Sequence, residues 1–340
     1  MTQEDLAQWA RLRGAAPGAA RAFARFLLAQ TAGRPAPERP SHALLEAAPF
    51  SAGLPPADAV PDEEGTVRFA VHLAAGAIVE TVLIHLAASE LRARERCTVC
   101  LSSQAGCARG CVFCETGRLG LQRNLAAAEI VAQYAIASRH LGARPANVVF
   151  MGMGEPLDNL DEVLRAIAVL REPSGFAVPE RRITVSTVGI VPRMDELYAR
   201  TRAQLAVSLH AIDEGQRRAL LPVARKWSLE ELRAALLRAP RTVLLQWTLI
   251  EGVNDADADA DALARFCVGL DARVNLIPLN PGPVPSQRAP SFERCRSFQK
   301  RLSDSGVRAL LRMPHGRGVR GACGQLAGAR RLVRNAAAAG

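Results

Sequence analysis

From Cys97 onward, short apolar runs alternate with longer amphipathic ones, and that alternation restricts the fold more than any other feature of the chain. The runs with strand character are 98–102, 147–151, 182–187, 204–209, 243–250 and 274–279. Helix-like segments separate them: Leu160, Val163, Leu164, Ile167 and Leu170 recur at three- and four-residue spacing and share one face. Six such units in a row predict an α/β fold with a parallel sheet, open or curled toward a barrel, whose functional groups gather at the C-terminal strand ends. A seventh strand is expected at 309–313.

The first ninety or so residues follow a different pattern. Helical periodicity over 9–30 leads into a Pro/Ala-rich connector over 34–61. Alternation at 66–72 and 78–83, around Ala74-Ala75-Gly76, then predicts a β-hairpin. The chain therefore divides into a small helical accessory domain with its linker (1–60), a hairpin connector (61–96), the β/α body (97–328) and a basic tail (329–340). The alternating Asp and Ala of 255–261 predict a solvated loop and helix start, because the spacing and glycine of a calcium loop are absent.

With 340 residues, 49% of them hydrophobic, the chain can bury one large core and a smaller one, which excludes disorder, collagen and coiled coil. It has no run of eighteen uncharged apolar residues, so no membrane span is expected. Glu4 and Asp5 stand where a secretory signal would carry basic charge, and a cytoplasmic protein is expected. The formal charge is +10, and its distribution is uneven. Residues 1–96 balance to −1, whereas no acid follows Asp304 and seven arginines do, from Arg308 to Arg334. Such a field attracts a phosphate backbone. Arginine abundance alone carries little weight, since Lys226 and Lys300 are the only lysines and a GC-rich genome explains that bias.

Three of the eight cysteines are crowded into Cys107-x-x-x-Cys111-x-x-Cys114. In a chain of this length that points to metal or redox chemistry in a reducing compartment rather than structural disulfides. Three thiolates so spaced can hold one side of a cubic iron–sulfur cluster and leave its fourth iron open to a substrate. A structural zinc site completed by Cys97 or Cys100 is the alternative, although zinc knuckles normally come as two matched pairs. The cluster directly follows the first strand of the β/α series, and Met151-Gly152-Met153-Gly154-Glu155-Pro156 ends the second, where glycine lets backbone approach a ligand.

These segments together resemble the RlmN/Cfr family of radical S-adenosylmethionine RNA methyltransferases. The resemblance rests on Cys100-Leu-Ser-Ser-Gln-Ala-Gly-Cys107 with Cys111 and Cys114, Arg123-Asn124-Leu125, Gly152-Met-Gly-Glu-Pro156, Arg181-Arg-Ile-Thr-Val-Ser-Thr187 and Ser208-Leu-His210. It continues through Gly252-Val-Asn-Asp255, Asn275-Leu-Ile-Pro-Leu-Asn-Pro281 and Ala322-Cys-Gly-Gln-Leu326, in collinear order over roughly residues 62–328. It implies a partial (β/α)6 barrel with a small N-terminal domain that helps grip RNA. By the same resemblance, Cys107, Cys111 and Cys114 hold one 4Fe-4S cluster, and Gly154, Glu155, Ser186, Ser208, Leu209, His210 and Asn280 contact S-adenosylmethionine, two molecules of which serve each turnover.

The resemblance further implies that Cys323 carries the methyl group, Cys100 resolves the protein–RNA thioether through a transient disulfide, and Glu80 accepts a proton. The expected substrate is adenosine in 23S rRNA, and also transfer RNA, methylated at ring position 2, with the position-8 activity of the Cfr branch as the alternative. An electron donor such as flavodoxin and a monomeric state are expected. Cys97, Cys267 and Cys295 match no functional position and read as packing residues. The chain departs from the family's pattern at Gly318-Val319, where Asp-Ile is usual, and at Gly321, where alanine is usual, so a paralogue with another RNA substrate stays open. Two rivals from other classes remain. A radical enzyme for a small molecule would have no use for Cys100, Cys323 or the basic tail, and a zinc-dependent RNA-binding module would be colourless.

Overall fold

The computed structural model describes residues 2–33, 35, 53–87, 95–313 and 315–327; most of the connector at 34–61 and all of the tail at 329–340 lie outside the described residues. Seven strands follow one another in parallel: β4 (Arg96–Cys100), β7 (Asn147–Phe150), β8 (Ile183–Thr187), β9 (Gln204–Ser208), β10 (Val243–Leu249), β11 (Ala272–Pro278) and β12 (Ala309–Leu311). They lie side by side in sequence order, each joined to the next by a β/α crossover. All seven expected strands form, with no end shifted by more than two residues.

Helices cover the sheet because their apolar stripes match it. The helices packed between these strands include α3 (Ala127–Leu141), α4 (Leu160–Arg171), α5 (Val191–Arg200), α6 (Glu214–Leu220), α7 (Leu229–Leu237), α8 (Asp257–Cys267) and α9 (Phe292–Asp304). In α4 all five residues of the predicted face are buried, each such side chain contributing roughly 1.5–3 kcal/mol. Side-chain caps set several starts: Ser228 accepts from the Glu231 amide ahead of α7, and Asp213 from the Gln216 amide ahead of α6. Asp257 and Asp261 of α8 reach solvent and pair across to α9, Asp257 with Arg294 and Asp261 with Arg301, whereas Asp255, expected in a solvated loop, is buried and accepts from the Gly252 amide.

The hairpin forms as expected, from β2 (Val67–His72) and β3 (Ile78–Leu86), and β3 pairs antiparallel with β4, so the sheet has ten strands. Its outermost strand, β1 (Ala57–Pro61), lies within the stretch read as connector. Its exposed side chains carry no alternating signal, and a terminal Pro61 suits an edge. A second small sheet pairs β5 (Gln104–Cys107) with β6 (Gly120–Asn124).

At the N-terminus, α1 (Gln3–Arg11) and α2 (Pro17–Thr31) form a separate small core around Leu6, Ala10 and Phe23, with Trp9 stacked on Phe23. They dock on the turn after α4, where Ser174 donates to Gln3 and the Gln3 amide donates to Glu172. That turn leads toward the N-terminal end of β8, the end of the sheet opposite the cysteines. Among the described residues no helix is long and apolar enough to cross a membrane.

Candidate active site

The path of the chain after β4 builds the cysteine loop. The Leu101 amide still donates to Val149, but at Ser102 the Gln133 side chain replaces the ladder, accepting from the Ser102 amide at 2.9 Å and donating to its carbonyl at 3.0 Å. The chain is thereby released from the sheet and turns into β5. Gly106 sits at a bulge with φ +76°, and a Cβ there would come within 1.9 Å of the Gly120 carbonyl oxygen, so only glycine lets β5 and β6 close. Between those strands the loop carries Cys107, Cys111 and Cys114, and Arg109 within it forms a two-pronged ion pair with Asp158.

The three cysteines line one cavity at the C-terminal strand ends, together with Gly154, Glu155, Ser186, Ser208, His210 and Cys323. Burial pushes the Cys107 thiol up to about 12 and holds Cys111 and Cys114 above the ordinary thiol value; charge on Cys114 raises Cys107 further, and charge on Cys114 and Cys107 raises Cys111. Three such thiols are poor thiolates unless a cationic centre sits among them. Among the described residues no three His, Cys, Asp or Glu side chains converge as they would on a single metal ion. Three cysteines of one short loop opening onto a shared cavity fit a cluster that offers each thiolate its own iron.

The opposite wall is polar and buried. Glu155 is 2% exposed, its two carboxylate oxygens accept from the Leu157 and Val188 amides, and burial raises its pKa to about 7. Gly154 has φ +100°, and a Cβ there would meet the Gln104 side chain at 2.6 Å. His210 is also in the left-handed region, at φ 60°. Such a backbone costs on the order of 1 kcal/mol or more, and it is held from both sides. Asn254 donates to the His210 carbonyl at 2.7 Å, and the Thr248 amide donates to His210 Nδ1 at 2.9 Å. The motif Gly252-Val-Asn-Asp255 therefore serves the site through Asn254. Burial, then the charge of Arg217, lowers the His210 pKa to about 3, so the ring is neutral.

Sequence reading missed several lining residues, among them Phe113, Gln246 and Thr248. Gln246 and Thr248 alternate on one face of the otherwise apolar β10, a signal that was present in the sequence. Among the described residues the buried Gln246 Nε2 has no hydrogen-bond partner, which fits a cavity built for a polar ligand. Two expected contacts are not in the lining: Leu209 is wholly buried, and Asn280 instead donates to the Cys323 carbonyl at 3.1 Å and accepts from Arg317 at 2.9 Å.

Cys323 is exposed toward the cavity, whose walls still desolvate a thiolate and push its pKa up. Cys100, buried at the end of β4, lies near enough that charge on Cys323 raises its pKa further. Each of the eight cysteines is a free thiol, so no Cys100–Cys323 disulfide is formed. Cys97, Cys267 and Cys295 sit in or against the main core, as packing residues. Glu80, in contrast, is 1% exposed and lies outside the cavity lining, ion-paired with Arg68 at 2.6 Å.

Comparison with known proteins gives the same assignment. Residues 101–264 match the Radical SAM superfamily. A protein of Sorangium cellulosum named as a probable RNA methyltransferase is 44% identical over 96% of this chain and 86% of its own length. The dual-specificity RNA methyltransferase RlmN of Syntrophobacter fumaroxidans is 44% identical over 78% of this chain and 77% of its own. The crystal structure of a radical SAM methyltransferase from Sphaerobacter thermophilus superposes with a TM-score of 0.85 at 37% identity, covering 96% of this chain and 97% of that one. With these relatives, this sheet and this cavity, the chain belongs to the RlmN/Cfr family of radical S-adenosylmethionine RNA methyltransferases.

Proposed function

We propose that the protein methylates ring carbon 2 of an adenosine in 23S rRNA, and also in transfer RNA, through an S-methylcysteine at Cys323. One observation carries this reading: Cys323 opens into the cavity lined by Cys107, Cys111 and Cys114, with Cys100 within electrostatic reach. A ring carbon of adenosine is electron-poor, so direct transfer from a sulfonium fails. When bound, one 4Fe-4S cluster and two molecules of S-adenosylmethionine per turnover supply the methyl group and a carbon radical able to remove hydrogen from an S-methyl group.

The protein's residues divide the remaining work. Cys107, Cys111 and Cys114 would hold the cluster. Gly154, Glu155, Ser186, Ser208 and His210 would orient S-adenosylmethionine, with the neutral His210 ring donating from Nε2. Leu209 and Asn280 would support that wall from behind. Cys323 takes the methyl group on sulfur and delivers its carbon to the base. Cys100 then attacks the Cys323 sulfur as a thiolate, forming a disulfide as the bond from that sulfur to the methylene carbon breaks; the released electron pair stays with the methylene carbon and ring, the methylene carbon takes up a proton to become the methyl group, and the ring carbon gives up its own proton. The arginines after Asp304 supply a field for the RNA backbone. An electron donor such as flavodoxin, a monomeric state and the reducing cytoplasm complete the reading.

Mass spectrometry of adenosines from a deletion strain and its parent tests the product: loss of 2-methyladenosine supports the proposal, and loss of 8-methyladenosine replaces it with the position-8 activity. Cys323→Ala is expected to abolish methyl transfer, and Cys100→Ala to trap a covalent protein–RNA adduct. Normal turnover in either variant overturns the corresponding role.

A further inference from the structure

Arg68 and Glu80 lie on adjacent antiparallel strands of the hairpin, both buried, with Arg68 Nη1 2.6 Å from Glu80 Oε1. A buried ion pair is tolerated where the remaining donors and acceptors of both groups are satisfied. Here each group makes a further bond to the segment that carries Cys323. Arg68 Nε donates to the Val319 carbonyl at 2.8 Å, and Glu80 Oε2 accepts from the Ala327 amide at 2.6 Å. Val319 lies four residues before Cys323 and Ala327 four residues after it. The pair therefore grips both arms of the loop whose tip is Cys323.

The same segment is held elsewhere by neutral bonds. The Glu115 amide donates to Gly324, Thr116 Oγ1 donates to the Leu326 carbonyl, and Asn280 donates to Cys323. It packs so closely on β3 that a Cβ at Gly321 would stand 3.3 Å from a Val82 methyl. The glycine that replaces the family's usual alanine thus lies where the loop meets the hairpin. A carboxylate so held has both oxygens engaged by the protein, one by Arg68 and the other by the Ala327 amide.

We propose that Arg68 and Glu80 are positioning residues, a charged clasp that sets the Cys323 loop over the cavity, and that Glu80 acts through this clasp rather than as a proton acceptor. The proposal rests on Cys323 being the methyl carrier. It predicts that loss of either partner impairs the first methylation of Cys323, a step that needs no RNA. Small displacements of a reacting group cost large factors in rate.

The test uses the anaerobically reconstituted full-length enzyme, first with S-adenosylmethionine alone, following methyl on the Cys323 peptide by mass spectrometry, and then with substrate RNA added, following the protein–RNA adduct. Hydrogen exchange of residues 315–327 is measured in parallel. Glu80→Ala and Arg68→Met are each expected to slow Cys323 methylation by about tenfold or more and to raise exchange in that segment. The double variant should be little worse than either single one, because both remove the same clasp. Glu80→Gln, which keeps an acceptor for the Ala327 amide but cannot take a proton, should fall between wild type and Glu80→Ala and should not accumulate RNA adduct. Arg68→Lys, which keeps the charge, guards against simple misfolding and should likewise be intermediate. Wild-type rates of Cys323 methylation in the Glu80 variants, followed by a stalled protein–RNA adduct, would overturn the clasp in favour of a proton acceptor. If wild-type enzyme carries no methyl on Cys323, the carrier reading fails; exchange at 315–327 then decides the clasp, unchanged protection in Glu80→Ala refuting it.

Discussion

The Thr248 amide donates to Nδ1 of His210 at 2.9 Å, which fixes the ring's proton on Nε2 and makes a left-handed, buried histidine a neutral donor at the cavity wall.

Because burial lowers His210 from 6.5 to about 3, the unfolded chain binds this proton before the folded protein does. Its contribution to stability is intact above 6.5 and is lost as pH falls toward 3. Urea unfolding of His210→Gln compared with wild type should show a smaller loss over that window. An equal loss in the two proteins would refute the neutral-donor assignment.

Glu155 has the opposite sign. Its folded pKa is raised from 4.5 to about 7, so its contribution is fully present below 4.5 and is lost as pH rises through 7. The shift corresponds to roughly 3 kcal/mol. Glu155→Gln should flatten the fall in stability between pH 4.5 and 7 in denaturant titrations, at the cost of one of the two amide bonds now made to Leu157 and Val188. An unchanged slope would count against the raised value.

Gln246 offers a separable measurement of binding and folding. Its buried Nε2 has no partner among the described residues, so Gln246→Leu should leave the ligand-free protein as stable or about 1 kcal/mol more stable. Affinity for S-adenosylmethionine should fall about fivefold. Calorimetry that finds equal affinity would remove Gln246 from the ligand's contacts.

Gly106→Ala should destabilise by more than about 2 kcal/mol, since the new Cβ meets the Gly120 carbonyl and the backbone stays at positive φ. Iron retained after anaerobic reconstitution should drop with it. Full iron content at unchanged stability would show that the cysteine loop does not depend on this crossing.

Much of this was legible locally. Strand and helix periodicity marked the seven parallel strands, and the hairpin followed from its alternation and its Ala-Ala-Gly turn. What escaped were β1, whose exposed side chains carry no apolar pattern, and the pair β5 and β6, where a side chain of α3 rather than a turn signal ends the ladder. Cysteine spacing marked a metal-binding loop because neighbouring ligands need only local geometry. Asn280 and Leu209 were read as direct contacts, yet the fold uses the first to hold Cys323 and buries the second.

The sequence by itself determined the β/α order, the cysteine trio and the residue types at the strand ends, since these follow from periodicities and spacings within a few residues. Only the tertiary structure decided that the two ends of the sheet come close enough for residues 317–327 to bond both the end of β11 and the hairpin. Glu80 and Ala327 stand 247 positions apart. Their meeting depends on the accumulated twist and curvature of the sheet, to which every strand contributes and which no local pattern encodes.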